Sequence, residues 1–412
     1  MTLPSLAGAE WLRAPAVAAI FALLDRDGEE ARIAGGAVRN ALMGVPVTEV
    51  DFATTATPDV VEKRAAAAGV RSVPTGRDHG TVTLVSHGRA FEVTTLREDI
   101  ETDGRRAVVR FGRSWEHDAR RRDFTINALF VSADGTVHDP VGGYPDIVAR
   151  HVRFIGDADR RILEDRLRIL RFFRFHAQLE RGALDRAGLG ACIRARNGVR
   201  ELSAERIGQE MRKLVVAPAA PATLEIMQDA GILPVVLAGV GYLARFRKLA
   251  EAEAAVGVEP VFARRLVALG CRIEEDVERL ALRMRLSNPE RSRMSAALAA
   301  AAAVRLDLNE RETRAAIYRF GSEAFRDGLL LAAARSGPDS RVQRLHEFPD
   351  RWTVPVFPIR GSHVTALGIT PGPAVGALLN ALEAWWIEQD FQPDSEALKV
   401  RLKQAVEAAH RR

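Results

Sequence analysis

The stretch Ile33-Ala34-Gly35-Gly36-Ala37-Val38-Arg39-Asn40, followed after a short loop by Thr48-Glu49-Val50-Asp51-Phe52-Ala53-Thr54, decides how the first third of the chain is read. The first run passes from β-forming residues through two glycines into a helix-forming segment. Paired glycines at such a junction let the backbone come close to a phosphate, and the N–H groups of the helix start favour that anion. Arg39, on the first turn, can clamp the same phosphate. The run is neither GxGxxG nor a Walker loop, because no Lys-Ser/Thr follows. In the second run, residues two apart on a strand point to the same side. Glu49 and Asp51 are therefore expected to aim two carboxylates at one point, which suits a hard divalent cation such as Mg²⁺. Alternating acids on a solvated strand face are the plainer reading of the same pair. Glu92, within Phe91-Glu92-Val93, supplies a third carboxylate.

Working outward, short β-rich runs recur over residues 31 to about 150: Arg32–Ala34, Val50–Ala53, Gly80–Ser86, Ala90–Leu96 and Ala128–Ser132, punctuated by Gly and Pro. Between the last two lies Arg121-Arg122-Asp123-Phe124-Thr125-Ile126-Asn127. Arg and Asp there can grip a triphosphate and a ribose hydroxyl, and Thr125 and Asn127 add hydrogen bonds. A charged turn opening a helix is the alternative. From about residue 157 the pattern turns helical and stays so. In Glu164-Asp165-Arg166-Leu167-Arg168, Asp165 and Arg168 are three apart and would share a helix face.

An Asp beside an Arg presents an acceptor next to a donor fork. Cytosine and adenine share the complementary edge, an exocyclic amine beside a ring-nitrogen acceptor. Uracil and guanine present the reverse and would leave both groups mispaired, at ~1–3 kcal/mol for each buried polar group. The pair can thus choose C and A without a template. An ordinary salt bridge is the competing reading. Arg171 and Arg174, further along the same helix, are additional nucleotide-binding candidates.

The 412 residues are too many for one compact core and allow two to four domains. With 47% hydrophobic and 27% charged residues, the chain is neither disordered nor fibrous. The net charge of +5 does not by itself require a polyanionic partner. Only five lysines occur, so 54 of the 59 basic residues are arginine. Arginine matches phosphate bidentately, although a GC-rich genome produces the same bias. Two cysteines, Cys192 and Cys271, fit a reducing cytosol. The apolar stretch Ala14–Leu24 reads as an amphipathic helix and not a signal peptide, and no run is long enough for a membrane span. Ser287-Asn288-Pro289-Glu290 reads as a capping box.

Taken in order, GGAVRN (35–40), EVDFATTATP (49–58), FEVTTLRED (91–99), RRDFTINAL (121–129), DPVGGYPD (139–146) and EDRLRILRFFRF (164–175) closely resemble the class II tRNA nucleotidyltransferase and bacterial poly(A) polymerase family. The likeness covers about residues 31–180. It continues more loosely through Leu282–Asn288 and Gly368–Pro373. The resemblance implies an α+β chain: a nucleotidyltransferase-type palm with a mixed sheet and helices, followed by all-α neck, body and tail domains. The corresponding segments are a head over 1–150, a neck over 151–216, a body over 217–345 and a tail over 346–412, the last two binding RNA.

It further implies that Glu49 and Asp51 hold Mg²⁺, with Glu92 as the third catalytic carboxylate. Gly35, Gly36, Arg39, Arg121, Arg122, Asp123, Asn127, Arg171 and Arg174 would contact the nucleotide. Asp165 and Arg168 would select the base, and Arg97–Val109 resembles the family's flexible loop. The expected partners are CTP, ATP and the tRNA 3′ acceptor end, with no membrane and no protein partner. One position departs from the family, whose metal pair is usually Asp-x-Asp; here the first member is Glu49. The expected activity is template-independent CCA addition with release of pyrophosphate. Poly(A) addition, C-only or A-only addition, and an inactive RNA-binding protein are the alternatives. A His-Asp phosphohydrolase is excluded, since beyond residue 180 only His346, His363 and His410 remain to build a metal cluster.

Overall fold

The computed structural model describes residues 2–77, 80–103, 106–179, 184–336 and 340–410; the side chains of 98–109 and 409–410 lie outside that description. The expected flexible loop Arg97–Val109 therefore falls largely on residues whose side chains are not described. The chain divides into two compact units, Met1–Gly239 and Val240–Arg412. The division falls inside the segment 217–345.

The first unit carries a seven-stranded mixed sheet of order β3-β4-β5-β2-β1-β8-β9. Its strands are β1 (Ala31–Ala34), β2 (Asp51–Thr54), β3 (Arg71–Gly76), β4 (Thr81–Ser86), β5 (Arg89–Thr95), β8 (Phe130–Val131) and β9 (Val137–His138). A separate ribbon pairs β6 (Arg97–Asp103) with β7 (Arg106–Phe111). In β4 every second residue, Val82, Leu84 and Ser86, is buried, the period-two pattern of a strand.

Two registers set up the site. β1 runs antiparallel to β2 with Ala34 opposite Asp51. β2 runs parallel to β5 with Phe52 opposite Val93, and one residue back the same register brings Asp51 beside Glu92. The apolar stretch Ala14–Leu24 forms the helix Pro15–Leu24, with Pro15 in the first turn, where its missing N–H costs nothing. It buries Val17, Ile20, Phe21 and Leu24. Phe21, Phe52 and Phe91 interlock edge to face at 5.0 and 5.9 Å, each burial contributing about 1.5–3 kcal/mol.

The expected strand Ala128–Ser132 contracts to Phe130–Val131, because Thr125–Asn127 form a 3-10 turn just before it. Helices follow over Ala158–Glu164, Leu167–Leu179 and Ala204–Val215. The Leu167–Leu179 helix buries Phe172, Phe173 and Phe175. Phe154 stacks on Phe172 at 5.4 Å and meets Phe124 at 4.8 Å, which joins this helix to the RRDFTINAL segment.

Among the described residues the regular elements of the second unit are helices, the principal ones Leu243–Val256, Phe262–Gly270, Glu274–Met284, Asn288–Ala303, Glu310–Ser336, Pro373–Glu388 and Ser395–His410. The capping box forms as read: Ser287 Oγ accepts from the Glu290 N–H, and Glu290 Oε2 accepts from the Ser287 N–H at 2.7 Å. Among the described residues no helix is long and apolar enough to cross a membrane.

Candidate active site

β1 ends at Ala34, and the chain turns through Gly35 at φ +65° into the helix Gly36–Leu42. A Cβ on Gly35 would stand 3.2 Å from the Asn127 carbonyl oxygen and 3.4 Å from Arg122 Nη1. Positive φ and that close approach both call for glycine. Arg39, from the same helix, donates to Asn127 Oδ1 at 2.5 Å. Burial lowers its pKa to about 10, and repulsion from Arg174 adds to the effect.

Asp51 opens β2. Glu49 lies ahead of the strand in irregular backbone, so the period-two argument does not place it. What brings it to Asp51 is the path of the loop. Glu49 nevertheless acts on Asp51, which feels four influences. The Asp51 pKa is raised to about 6 by burial first, then by the negative charges of Glu92 and Glu49, against the pull of Arg122. Carboxylates that share a cleft and act on one another's charge, as Glu92 and Glu49 act on Asp51, are the oxygen donors a hard divalent cation takes. Among the described residues no three acidic, histidine or cysteine side chains form a metal-holding group by themselves.

Arginines line the same cleft, and four of them, Arg121, Arg122, Arg171 and Arg174, are held by buried acids. Asp118, 1% exposed, accepts Arg121 on Oδ1 at 2.8 Å and Arg122 on Oδ2 at 2.8 and 3.1 Å. Burial works to raise the Asp118 pKa, but the Arg122 and Arg121 charges outweigh it and hold the carboxyl below its ordinary value. Asp123 accepts from the Phe124 N–H and from Asn127 Nδ2 on Oδ1, and from Arg171 Nε on Oδ2 at 2.7 Å. It too is held low despite its burial. Glu210 receives Arg174 at 2.5 Å and lies 3.7 Å from Arg171. The Phe175 ring packs under three guanidiniums, those of Arg174, Arg39 and Arg171, at 3.9, 5.0 and 5.4 Å.

The Asp165–Arg168 pair needs a correction. The two do not share one helix face. The helix Ala158–Glu164 stops at Asp165, whose φ of −153° is extended, and the next helix begins at Leu167. Asp165 Oδ1 accepts from the Leu167 N–H at 3.0 Å and caps that start. Its Oδ2 accepts from Arg206 Nη2 at 2.8 Å. Arg168 donates to Glu164 at 2.6 Å and to the carbonyls of Arg161 and Arg121. Each member therefore has its own partner, and the expected alternative of a mutual salt bridge is not formed.

A cleft of about 810 Å³ gathers all fourteen candidate residues: Glu49, Asp51, Glu92, Gly35, Gly36, Arg39, Arg121, Arg122, Asp123, Asn127, Asp165, Arg168, Arg171 and Arg174. It lies wholly within the first unit. Thr48, Thr94, Phe175, Gln178 and Lys213 line it as well, and sequence reasoning missed them. It also missed the residues that hold the lining in place: Asp118, Glu164, Arg206 and Glu210. Asp118 carried a signal, an acid three and four residues before two arginines on a helix-turn. Glu210 and Arg206 lie more than 30 residues from their partners in sequence, and no local pattern shows them.

Comparison with known proteins gives one answer. The family described as the poly A polymerase head domain matches residues 31–153. The chain is 34% identical over 398 residues to the mitochondrial CCA tRNA nucleotidyltransferase 1 of Mus musculus, covering 92% of this chain and 88% of the relative. It is 41% identical over 222 residues to the CCA-adding enzyme of Geobacillus thermodenitrificans, covering 52% of each. Among solved structures, the Bacillus stearothermophilus CCA-adding enzyme in complex with CTP superposes with a TM-score of 0.79 at 28% identity, covering 96% of this chain and 98% of the other.

Proposed function

The chain belongs to the CCA tRNA nucleotidyltransferase family, and on that premise we propose that it adds C, C and A to tRNA 3′ ends from CTP and ATP, releasing pyrophosphate. The observation that carries this reading to individual residues is one cleft lined both by Glu49, Asp51 and Glu92 and by arginines anchored on acids.

The RNA 3′-hydroxyl attacks the α-phosphorus of the bound triphosphate, the bond to the β-phosphate oxygen breaks, and pyrophosphate departs. No covalent enzyme intermediate is needed. Glu49 and Asp51, with Glu92 beside them, would hold the divalent cation on which this family depends, and we assign it as Mg²⁺. When bound, such an ion lowers the pKa of the attacking hydroxyl and offsets charge on the leaving group. Arg39, Arg121 and Arg122 face the triphosphate, and Gly35 and Gly36 let the backbone approach it. Asp123 and Asn127 serve the ribose. Arg171 and Arg174 add positive charge at the Phe175 end, balanced in the free protein by Asp123 and Glu210.

Asp165 and Arg168 read the base. Among the described contacts Arg168 uses three of the five N–H donors of a guanidinium, which leaves two to address a ring nitrogen. Asp165 can accept the exocyclic amine alongside Arg206, because a carboxylate offers about four lone-pair sites. Residues 217–345 and 346–412 we assign to RNA binding through shape and backbone, as body and tail beside a head of 1–150 and a neck of 151–216.

The cytoplasm is our assignment for the compartment. It is supported by two buried cysteines that form no disulfide and whose burial pushes the thiols up, Cys271 to about 12. The test of the site is single-turnover addition in saturating Mg²⁺. Glu49→Ala and Asp51→Ala should each slow it by orders of magnitude, while Glu49→Asp keeps much of the rate. A Glu49→Ala protein as fast as wild type would remove Glu49 from the site.

A further inference from the structure

The second unit holds a cavity of about 390 Å³, lined by apolar side chains including Val267, Leu298 and Leu331 and by three arginines, Arg245, Arg272 and Arg335. Two of the arginines have structural work. Arg245 reaches the carbonyls of Val267, Ala268 and Cys271 at the end of the Phe262–Gly270 helix, and Arg335 donates to the Ala301 carbonyl. Arg272 has a different contact: its guanidinium lies 4.3 Å over the Tyr242 ring. Among the described residues none of the three forms an ion pair. The one carboxylate on the cavity wall, Glu274, accepts from Ser295 Oγ.

Among the cavity's lining residues three arginines thus stand against one carboxylate, with Asp276, which accepts from the Arg272 N–H at 2.8 Å and pairs with Arg279, just outside it. Burial lowers the Arg245 pKa to about 10, and the nearby charges of Arg272 and Arg335 push the same way. Apolar walls weaken the screening of that field. Arg272 and Arg335 are exposed at the opening, so a ligand can reach them.

We propose that this cavity is an anion site that takes a phosphate group, carried on an RNA backbone or free in solution. Guanidinium forks match phosphate oxygens in pairs, and carbonyl-bound Arg245 is fixed in place before the anion arrives.

The experiment compares wild type with Arg272→Gln and Arg272→Lys in the full-length protein. Arg272 is the position to vary because its guanidinium caps no helix, and circular dichroism checks the fold. One arm measures tRNA binding across a salt series, and the other measures equilibrium dialysis of radiolabelled inorganic phosphate. If the phosphate belongs to RNA, Arg272→Gln should bind tRNA roughly fivefold more weakly and reduce the salt slope by about one, with Lys restoring most of it. If the anion is free, Arg272→Gln should lose a phosphate equivalent while its tRNA binding stays unchanged. Unchanged behaviour in both arms overturns the proposal. The RNA arm rests on the proposed tRNA reaction; the dialysis arm does not, and nucleotide addition by wild type reports on that reaction separately.

Discussion

Asp123 grips the Arg171 guanidinium through one oxygen, Oδ2, at 2.7 Å from Nε and 2.6 Å from Nη2. This bond ties the RRDFTINAL segment to the helix Leu167–Leu179, which carries Arg168, Arg171 and Arg174. Removing the acid leaves Arg171 with Glu210 at 3.7 Å. Breaking a buried pair by deleting one partner costs about 3–5 kcal/mol. Asp123→Ala should therefore lower the urea midpoint and also abolish measurable addition. Full stability in the variant would show that the contact is not structural.

Asp118→Asn isolates a different role. The side chain keeps its size but loses the charge that orients Arg121 and Arg122. KM for CTP and for ATP should rise together, by roughly tenfold or ~1.4 kcal/mol, with kcat less affected. A change confined to one of the two nucleotides would place the effect at the base and not at the triphosphate.

Base choice should depend on Asp165 and on the residue that holds it. Asp165→Ala is expected to reduce C and A incorporation and to weaken rejection of UTP and GTP. Arg206→Ala should show a milder form of the same loss, since Asp165 keeps its Leu167 N–H contact. Wild-type selectivity in Asp165→Ala with all four triphosphates would end the assignment.

Two signs of pH dependence are expected. Asp118 and Asp123 are held below the ordinary carboxylate value, so their contribution is present above about pH 4 and is lost as pH falls through their folded pKa values. Asp51 runs the other way. Its pKa is raised to about 6, so the metal-free fold binds this proton more tightly than the unfolded chain. Stability without metal should decline as pH rises from about 4 to about 6 and then level off. Protection by Mg²⁺ should grow over the same interval. Thermal unfolding from pH 4 to 8, with and without Mg²⁺, reads both. Mg²⁺ protection that is independent of pH across 6 would contradict the assignment of Asp51.

Much of this was legible because strand–turn–helix chemistry is local. Gly35, Gly36, Asp51, Glu92 and Arg122 could be named from residue type and spacing, and the cleft gathers them. Two geometric arguments failed, although the residues they concerned line the cleft. Glu49 lies outside its strand, and Asp165 breaks a helix that the i,i+3 argument required to continue. In both cases a backbone terminus fell within the motif, where periodicity says least. The holding acids stayed invisible for another reason. Glu210 meets Arg174 across 36 residues of sequence, a relationship that only packing of the two helices creates.

The most direct test of the central claim, that one cleft adds C, C and A in order, is to sequence the 3′ ends formed on tRNA lacking CCA. The wild-type protein would be supplied with Mg²⁺ and all four nucleoside triphosphates. The expected product is a uniform extension of three nucleotides, C-C-A, with neither U nor G. Tracts of A, extension by C alone or A alone, or tRNA bound but never extended would contradict it.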